Sequence, residues 1–181
     1  MYDRAKVAQD PGNAGGQRDL PVSFNKIGDV QSARGNLDGA LEAYEDSLAT
    51  REKLAAQDPG NAGWQRDLSV SFNKIGDVQR APGNLDGALE AYEDSRAIRE
   101  KLAAQDPGNA EWQRDLIVSN VKLGEIAGQA GKGVSAQGYY QAALEIATDL
   151  HASGRLAPRD AWMVGDLEAR LAALPADTAG E

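Results

Sequence analysis

Apolar side chains recur at steps of three and four through the middle of the chain. Between 61 and 81 they are Trp64, Leu68, Phe72, Ile75 and Val78; between 84 and 105 they are Leu85, Ala88, Leu89, Tyr92, Ile98 and Leu102, with the small Ser95 in the same stripe. This spacing places each set on one face of a helix of 3.6 residues per turn. Asn61 follows the break Asp58-Pro59-Gly60, and Asn84 follows Ala81-Pro82-Gly83, so each asparagine is predicted to cap a helix. Gln105-Asp106-Pro107 is predicted to end the second helix. Each helix then runs about 20 residues, or roughly 30 Å.

The pattern is repeated. Asp-Pro-Gly-Asn-Ala begins at Asp10, Asp58 and Asp106, a spacing of 48 residues both times. Residues 10–57 and 58–105 differ only at Gly16/Trp64, Pro21/Ser69, Ser32/Arg80, Arg34/Pro82, Leu48/Arg96 and Thr50/Ile98. A third copy matches through Leu116 and then diverges, keeping Leu123-Gly124, Gly131, Ala136, Tyr140 and Ala143. Its inter-helix turn is rich in glycine (Gly128, Gly131, Gly133). A helix with one apolar stripe cannot bury it alone, whereas stacked hairpins can. The expectation is an all-α solenoid of one domain over 1–175, with repeats at 10–57, 58–105 and 106–152.

The ends are expected to differ from the middle. After His151 a loop at 152–157 leads to Pro158, a residue suited to the first turn of a capping helix over 158–174. Met163, Leu167, Leu171 and Leu174 form its stripe, and Trp162 adds bulk. Residues 175–181 read as a disordered tail. Residues 1–9 resemble only the last part of a second helix, with Arg4-Ala5-Lys6-Val7-Ala8 beside Arg51-Glu52-Lys53-Leu54-Ala55. The first repeat therefore reads as uncapped, and self-association through that end is expected.

Composition removes several functions. The net charge of -9 and pI near 4.7 disfavour nucleic acid and anionic membrane surfaces, both of which attract basic clusters. There is no cysteine and one histidine, His151, so neither a disulfide nor a zinc site is expected. No apolar run reaches membrane-spanning or signal-peptide length, and a cytoplasmic protein is the expectation. Asn84-Leu85-Asp86-Gly87 lacks the ligand count of a calcium loop, and 128–133 lacks the glycine, the Ser/Thr and the preceding strand of a phosphate loop. His151 lies near a helix end, where it suits the dipole. Carboxylates such as Glu42, Glu45 and Asp46 read as solvated, with Arg51 and Lys53 nearby at helical spacing. No catalytic residues, cofactor or metal are expected.

Ile75-Gly76, Gly83-Asn84-Leu85, Ala88, Tyr92 and Ser95 resemble the tetratricopeptide repeat, which has a Leu-Gly pair in its first helix and a small residue and an aromatic in its second. Ile98-Arg99-Glu100-Lys101-Leu102 with a late Asp-Pro resembles the longer kinesin-light-chain-type variant and bacterial arrays of this repeat. The resemblance covers about 10–152 and implies a right-handed α-solenoid that binds proteins without catalysis. Gln31 and Gln79 depart from it, standing where the family often has an aromatic.

The first helices also carry a second stripe, opposite the apolar one. It comprises Arg18, Val22, Asn25, Lys26 and Asp29 in repeat one, and Arg66, Val70, Asn73, Lys74, Asp77 and Arg80 in repeat two. Repeat three contributes Arg114, Val118, Val121, Lys122 and Glu125. A solvated face with pairing at one-turn spacing would account for these charges. The resemblance implies instead that they line a concave groove gripping an extended peptide or a partner helix. It also implies a poor fit to a carboxylate-clamp ligand, because Asp29 would repel a carboxylate. The leading expectation is an interaction scaffold; the alternative is a regulatory or sensor segment of a larger signalling enzyme. A buried apolar residue is expected at the position of Arg96, which is Leu48 and Leu144 in the other copies, so Arg96→Leu is expected to stabilise the chain.

Overall fold

The computed structural model describes residues 14–174, and side chains from 19 onward. Among these residues seven α-helices follow one another: α1 (Ala14–Ala33), α2 (Leu37–Gln57), α3 (Ala62–Arg80), α4 (Leu85–Gln105), α5 (Ala110–Gln129), α6 (Gly133–Ala152) and α7 (Met163–Ala173). Among the described residues there is no strand. Contacts join each helix chiefly to its neighbours in sequence. The result is a stack of three hairpins, α1–α2, α3–α4 and α5–α6, closed by α7: the α-solenoid that the repeats predict. The readings made for residues 1–9 and 175–181 lie outside the described residues.

The local signals act as expected. The side chains of Asn36, Asn61, Asn84 and Asn109 each accept from the backbone N–H three residues on, at 3.2 Å. Gly35, Gly83 and Gly131 turn each hairpin with positive φ, a conformation in which a side chain would be strained. The third copy has Lys132 where Asn84 would recur, and α6 has no side-chain cap. Lys132 instead pairs with Asp86 at 3.2 Å.

Within each hairpin a tyrosine ring lies flat against a glycine. A Cβ on Gly76 would sit 2.6 Å from the Tyr92 ring, and Gly28 and Gly124 stand equally close to Tyr44 and Tyr140. The Gly of the first helix and the Tyr of the second are therefore one packing unit. Between hairpins the core is apolar in part, as where Ala40, Tyr44, Ile75, Val78 and Ala91 cluster.

Other parts of the interior are polar, which helical periodicity alone does not reveal. Arg51, read from the sequence as lying beside solvated carboxylates, and its counterpart one repeat on, Arg99, are each 6% exposed. Arg99 donates to Ser69 Oγ (3.1 Å), Ser119 Oγ and the Asp115 carbonyl (both 3.0 Å). Arg51 donates to Ser71 Oγ (2.7 Å) and the Asp67 carbonyl (3.0 Å). Burial draws both guanidiniums below their usual pKa. Serines fill the remaining space: Ser47 and Ser95 are fully buried and donate to the carbonyls of Pro21 (3.0 Å) and Ser69 (2.9 Å).

Three expectations need correction. Pro158 does not start the capping helix but a separate 3-10 turn, Pro158–Asp160, which brings the buried Asp160 carboxylate to Arg114 Nε at 2.7 Å. Trp162 adds nothing to the core and is exposed, because Met163 and Leu167 occupy the inward face. Arg96 is not a misfit at an apolar position, as expected, but a paired residue. Its Nε donates to the buried Asn120 Oδ1 at 2.8 Å, and it also pairs with Glu100 at 3.5 Å. Asn120 stands where the other copies have Phe24 and Phe72, just as Arg96 stands where they have Leu48 and Leu144.

Two stability outcomes follow from this packing. Gly76→Ala adds helix propensity but forces the Tyr92 ring to move, and it is expected to cost about 1–3 kcal/mol of unfolding free energy in denaturant titration. Arg96→Leu orphans the Asn120 oxygen and is expected to lower stability by about 1 kcal/mol. Adding Asn120→Phe should recover that loss by restoring the Leu and Phe found one repeat earlier. Additive effects across this double-mutant cycle would show the two positions to be uncoupled.

Candidate functional site

The charged stripe of the first helices is assembled by the stacking of the hairpins. Tyr44 Oη donates to Asp29 Oδ1 at 2.6 Å, and Lys74 of the next hairpin donates to the same oxygen at 2.7 Å. The Lys74 ammonium also stands 5.7 Å from the Tyr44 ring centroid, within reach of a cation–π attraction. One repeat on, Tyr92 donates to Asp77 Oδ1 at 2.6 Å, Lys122 reaches the same carboxylate, and Lys122 lies 5.0 Å from the Tyr92 ring. A third rung has Arg170 of α7 bonded to Glu125 at 2.8 Å and 5.8 Å from the Tyr140 ring. Lys74, Lys122 and Arg170 are spaced by the repeat length, so α7 occupies the place of a fourth first helix.

Further pairs join the same faces. Arg66 meets Asp115 and Glu111, both at 2.7 Å. Arg80 meets Glu125 at 3.2 Å, and Arg114 meets Asp160. Of the residues expected in the groove, Asp29, Arg66, Lys74, Asp77, Arg114, Lys122 and Glu125 are thus brought together as a ladder of ion pairs between repeats. The pairing expected at one-turn spacing within a helix is replaced by pairing across hairpins.

The remaining candidates fall elsewhere. Asn73 is 8% exposed and does not lie on the open face. With its amide nitrogen toward Ser95 Oγ (3.2 Å), its oxygen accepts from Arg99 Nη2 (2.7 Å), so it belongs to the buried arginine network. Asn25 stands in the same relation to Ser47 (2.9 Å) and Arg51 (3.2 Å). Lys26 is exposed and has no ion-pair partner among the described residues. The side chain of Arg18 lies outside those described.

Two pockets open beside the ladder. One, of about 460 Å³, is lined by Asp19, Pro21, Val22, Arg51, Trp64 and Asp67 among others. The second, of about 350 Å³, is lined by Arg66, Glu111, Arg114, Asp115, Arg155 and Asp160 among others. Among the described residues no group of three metal-ligating side chains converges.

The ladder carries a pH signature. The hydrogen bonds from Lys74 and Tyr44 hold the Asp29 carboxyl below its usual pKa, against a smaller opposing effect of burial. The unfolded chain therefore takes up this proton first as pH falls. The stabilisation is present above the unfolded value, about 3.9, and is lost on acidification below it. Asp29→Asn should lower the thermal midpoint at pH 6, with the gap from wild type closing as pH drops through 3. A gap that stayed constant with pH would show Asp29 to contribute no charge-dependent stability.

The tetratricopeptide-repeat family model matches residues 22–59, which take in α1 from Val22 and the whole of α2. No curated protein matches. The crystal structure of MamA protein is similar at 17% identity and a TM-score of 0.33, over 84% of this chain and 82% of that chain. The family match is to the repeat in general and does not distinguish the kinesin-light-chain-type variant. The matched segment recurs at 70–107 with changes only at Arg80, Pro82, Arg96 and Ile98, and both copies fold as the same capped hairpin. Residues 22–59 thus match a tetratricopeptide repeat, and a near-identical segment follows at 70–107.

Proposed function

We propose that this protein is a non-catalytic interaction module that holds a peptide or a partner helix along the first-helix face. The observation that supports this reading is the continuity of that face. Side chains from α1, α3, α5 and α7 form one surface of alternating charge, fixed by pairs that cross each repeat boundary. A surface held rigid by its own ion pairs loses little side-chain entropy when a partner docks. Its alternating sign suits a partner of mixed charge, which could exchange with individual rungs.

The cations Lys74 and Lys122 already have carboxylate partners, so they would act chiefly by positioning. Lys26, Arg155 and Arg159 are more exposed. Arg155 donates to Ser153 and to the Pro107 carbonyl, and Arg159 has only a longer pair, 3.7 Å, with Asp160. These three are the cations best placed to meet a ligand carboxylate. Pockets adjoining Arg51 and Arg114 offer places for side chains of the partner.

Peptides selected from a random display library against the full chain provide the test. Lys122→Glu, which reverses charge in the central rung, is expected to weaken the selected peptides by about tenfold, the equivalent of roughly 1.4 kcal/mol. Val134→Asp, at an exposed site of α6, should leave them unchanged. Equal binding to wild type and Lys122→Glu, with unchanged helicity, would place the binding surface elsewhere.

A further inference from the structure

Where α5 meets the connection between α6 and α7, the charges do not match as they do one repeat earlier. Between α3 and α5, Arg66 meets two carboxylates, Glu111 and Asp115, both at 2.7 Å. One repeat on, Arg114 stands in the place of Arg66, but Arg159 stands in the place of Glu111 and Met163 in that of Asp115. Arg114 takes the buried Asp160 carboxylate at 2.7 Å, and Arg159 lies 3.7 Å from the same oxygen. Arg155 donates to neutral acceptors, Ser153 Oγ and the Pro107 carbonyl, both at 2.9 Å. Among the described residues, Arg155 and Arg159 thus have no carboxylate of their own. All four arginines line one pocket of about 350 Å³, whose carboxylates are Glu111, Asp115 and Asp160. Positive groups therefore outnumber negative ones here, in a chain whose net charge is -9. Leu150, Leu156 and Ala157 supply an apolar wall. Ala110 and Glu111, the first two residues of α5, also line the pocket. Asn109 takes the amides of Trp112 and Gln113. Those of Ala110 and Glu111 have no intrahelical acceptor, and the helix dipole favours an anion beside them.

We propose that this pocket binds a phosphoryl group carried on a serine or threonine side chain of a partner polypeptide. The group would supply, beside Arg114, Arg155 and Arg159, the anion that Glu111 gives Arg66. A phosphate dianion offers three strong acceptor oxygens, enough to meet two guanidinium forks and a helix-terminal amide together. A carboxylate offers two oxygens and a single charge. The apolar wall would take the carbon that carries the phosphate. Among the described residues no aromatic ring lines the pocket to stack a base, which favours a phosphorylated side chain over a nucleotide. The choice of a polypeptide as the carrier rests on the interaction-module reading; the affinity for phosphate does not.

The test begins with an NMR titration of the full chain with inorganic phosphate at fixed ionic strength. Saturable shifts are expected at the Ala110 and Glu111 amides and at the Nε–H groups of Arg114 and Arg159. Arg155→Gln with Arg159→Gln should weaken phosphate by about tenfold, through loss of two charge-assisted donors. Both arginines are exposed, so circular dichroism should match wild type. Lys53→Gln with Lys101→Gln makes the same change of net charge at exposed positions of α2 and α4, and should leave phosphate binding unchanged. A second arm reads fluorescence anisotropy of labelled peptide libraries with phosphoserine, serine or glutamate fixed at the centre. The phosphoserine library should bind about tenfold more tightly than the serine library, and that advantage should vanish in the Arg155→Gln/Arg159→Gln chain. Absence of saturable shifts up to about 0.1 M phosphate, where any millimolar site would be filled, would overturn the phosphate site and leave the interaction-module reading standing. Phosphate binding without a phosphoserine advantage would overturn the polypeptide carrier in favour of a free phosphate ester. Equal binding of the glutamate and phosphoserine libraries would overturn the phosphoryl assignment in favour of a carboxylate.

Discussion

The approach of a tyrosine ring to a helical glycine underlies the whole arrangement. Tyr44, Tyr92 and Tyr140 each lie where a Cβ on Gly28, Gly76 or Gly124 would stand. That contact lets the two helices of a hairpin come close enough to bury small residues such as Ala40, Ala88 and Ala136 completely. It also aims two of the phenolic hydroxyls at the carboxylate that directly follows the glycine in the first helix, and burial together with that Asp29 or Asp77 pushes the Tyr44 and Tyr92 hydroxyls well above their usual pKa. The carboxylate in turn receives the lysine of the next hairpin. One steric fit within a hairpin thus fixes a polar contact between hairpins.

The interior is a mosaic of apolar and polar contacts. Arg51 and Arg99 are buried against serines and main-chain carbonyls, and their hydrogen bonds offset part of the cost of removing a guanidinium from water. Such sites demand geometry as well as burial, so they help to hold successive hairpins in one register. The Arg96–Asn120 contact shows the same logic at a single boundary. Where one interface has Leu48 and Phe72 at these two positions, the next has a hydrogen-bonded pair in their place.

Lys74 and Lys122 bind their neighbouring repeats and also lie on the surface proposed to meet a partner. Any ligand meeting them competes with Asp29 and Asp77, so its net gain is smaller than the charge count suggests. Lys26 holds the position of those lysines in α1 and has no ion-pair partner among the described residues.

The sequence by itself determined the helices, their caps, the hairpin turns and the repeat length. Those features depend on contacts within a few residues: Asn61 reaches a backbone N–H three positions away, and Gly83 turns the chain on its own φ. It also marked Lys26, Asp29, Lys74, Asp77 and Lys122 as one face, since helical periodicity places them there. Partners across hairpins were decided by the tertiary structure. Lys74 reaches Asp29 over 45 residues of chain, and no local pattern distinguishes that partner from a carboxylate one turn away. Burial of Arg51, Arg99 and Asn73 was hidden for the same reason. Each looks solvated on its own helix, and becomes interior only when the next hairpin closes over it with a serine or asparagine at hydrogen-bonding distance.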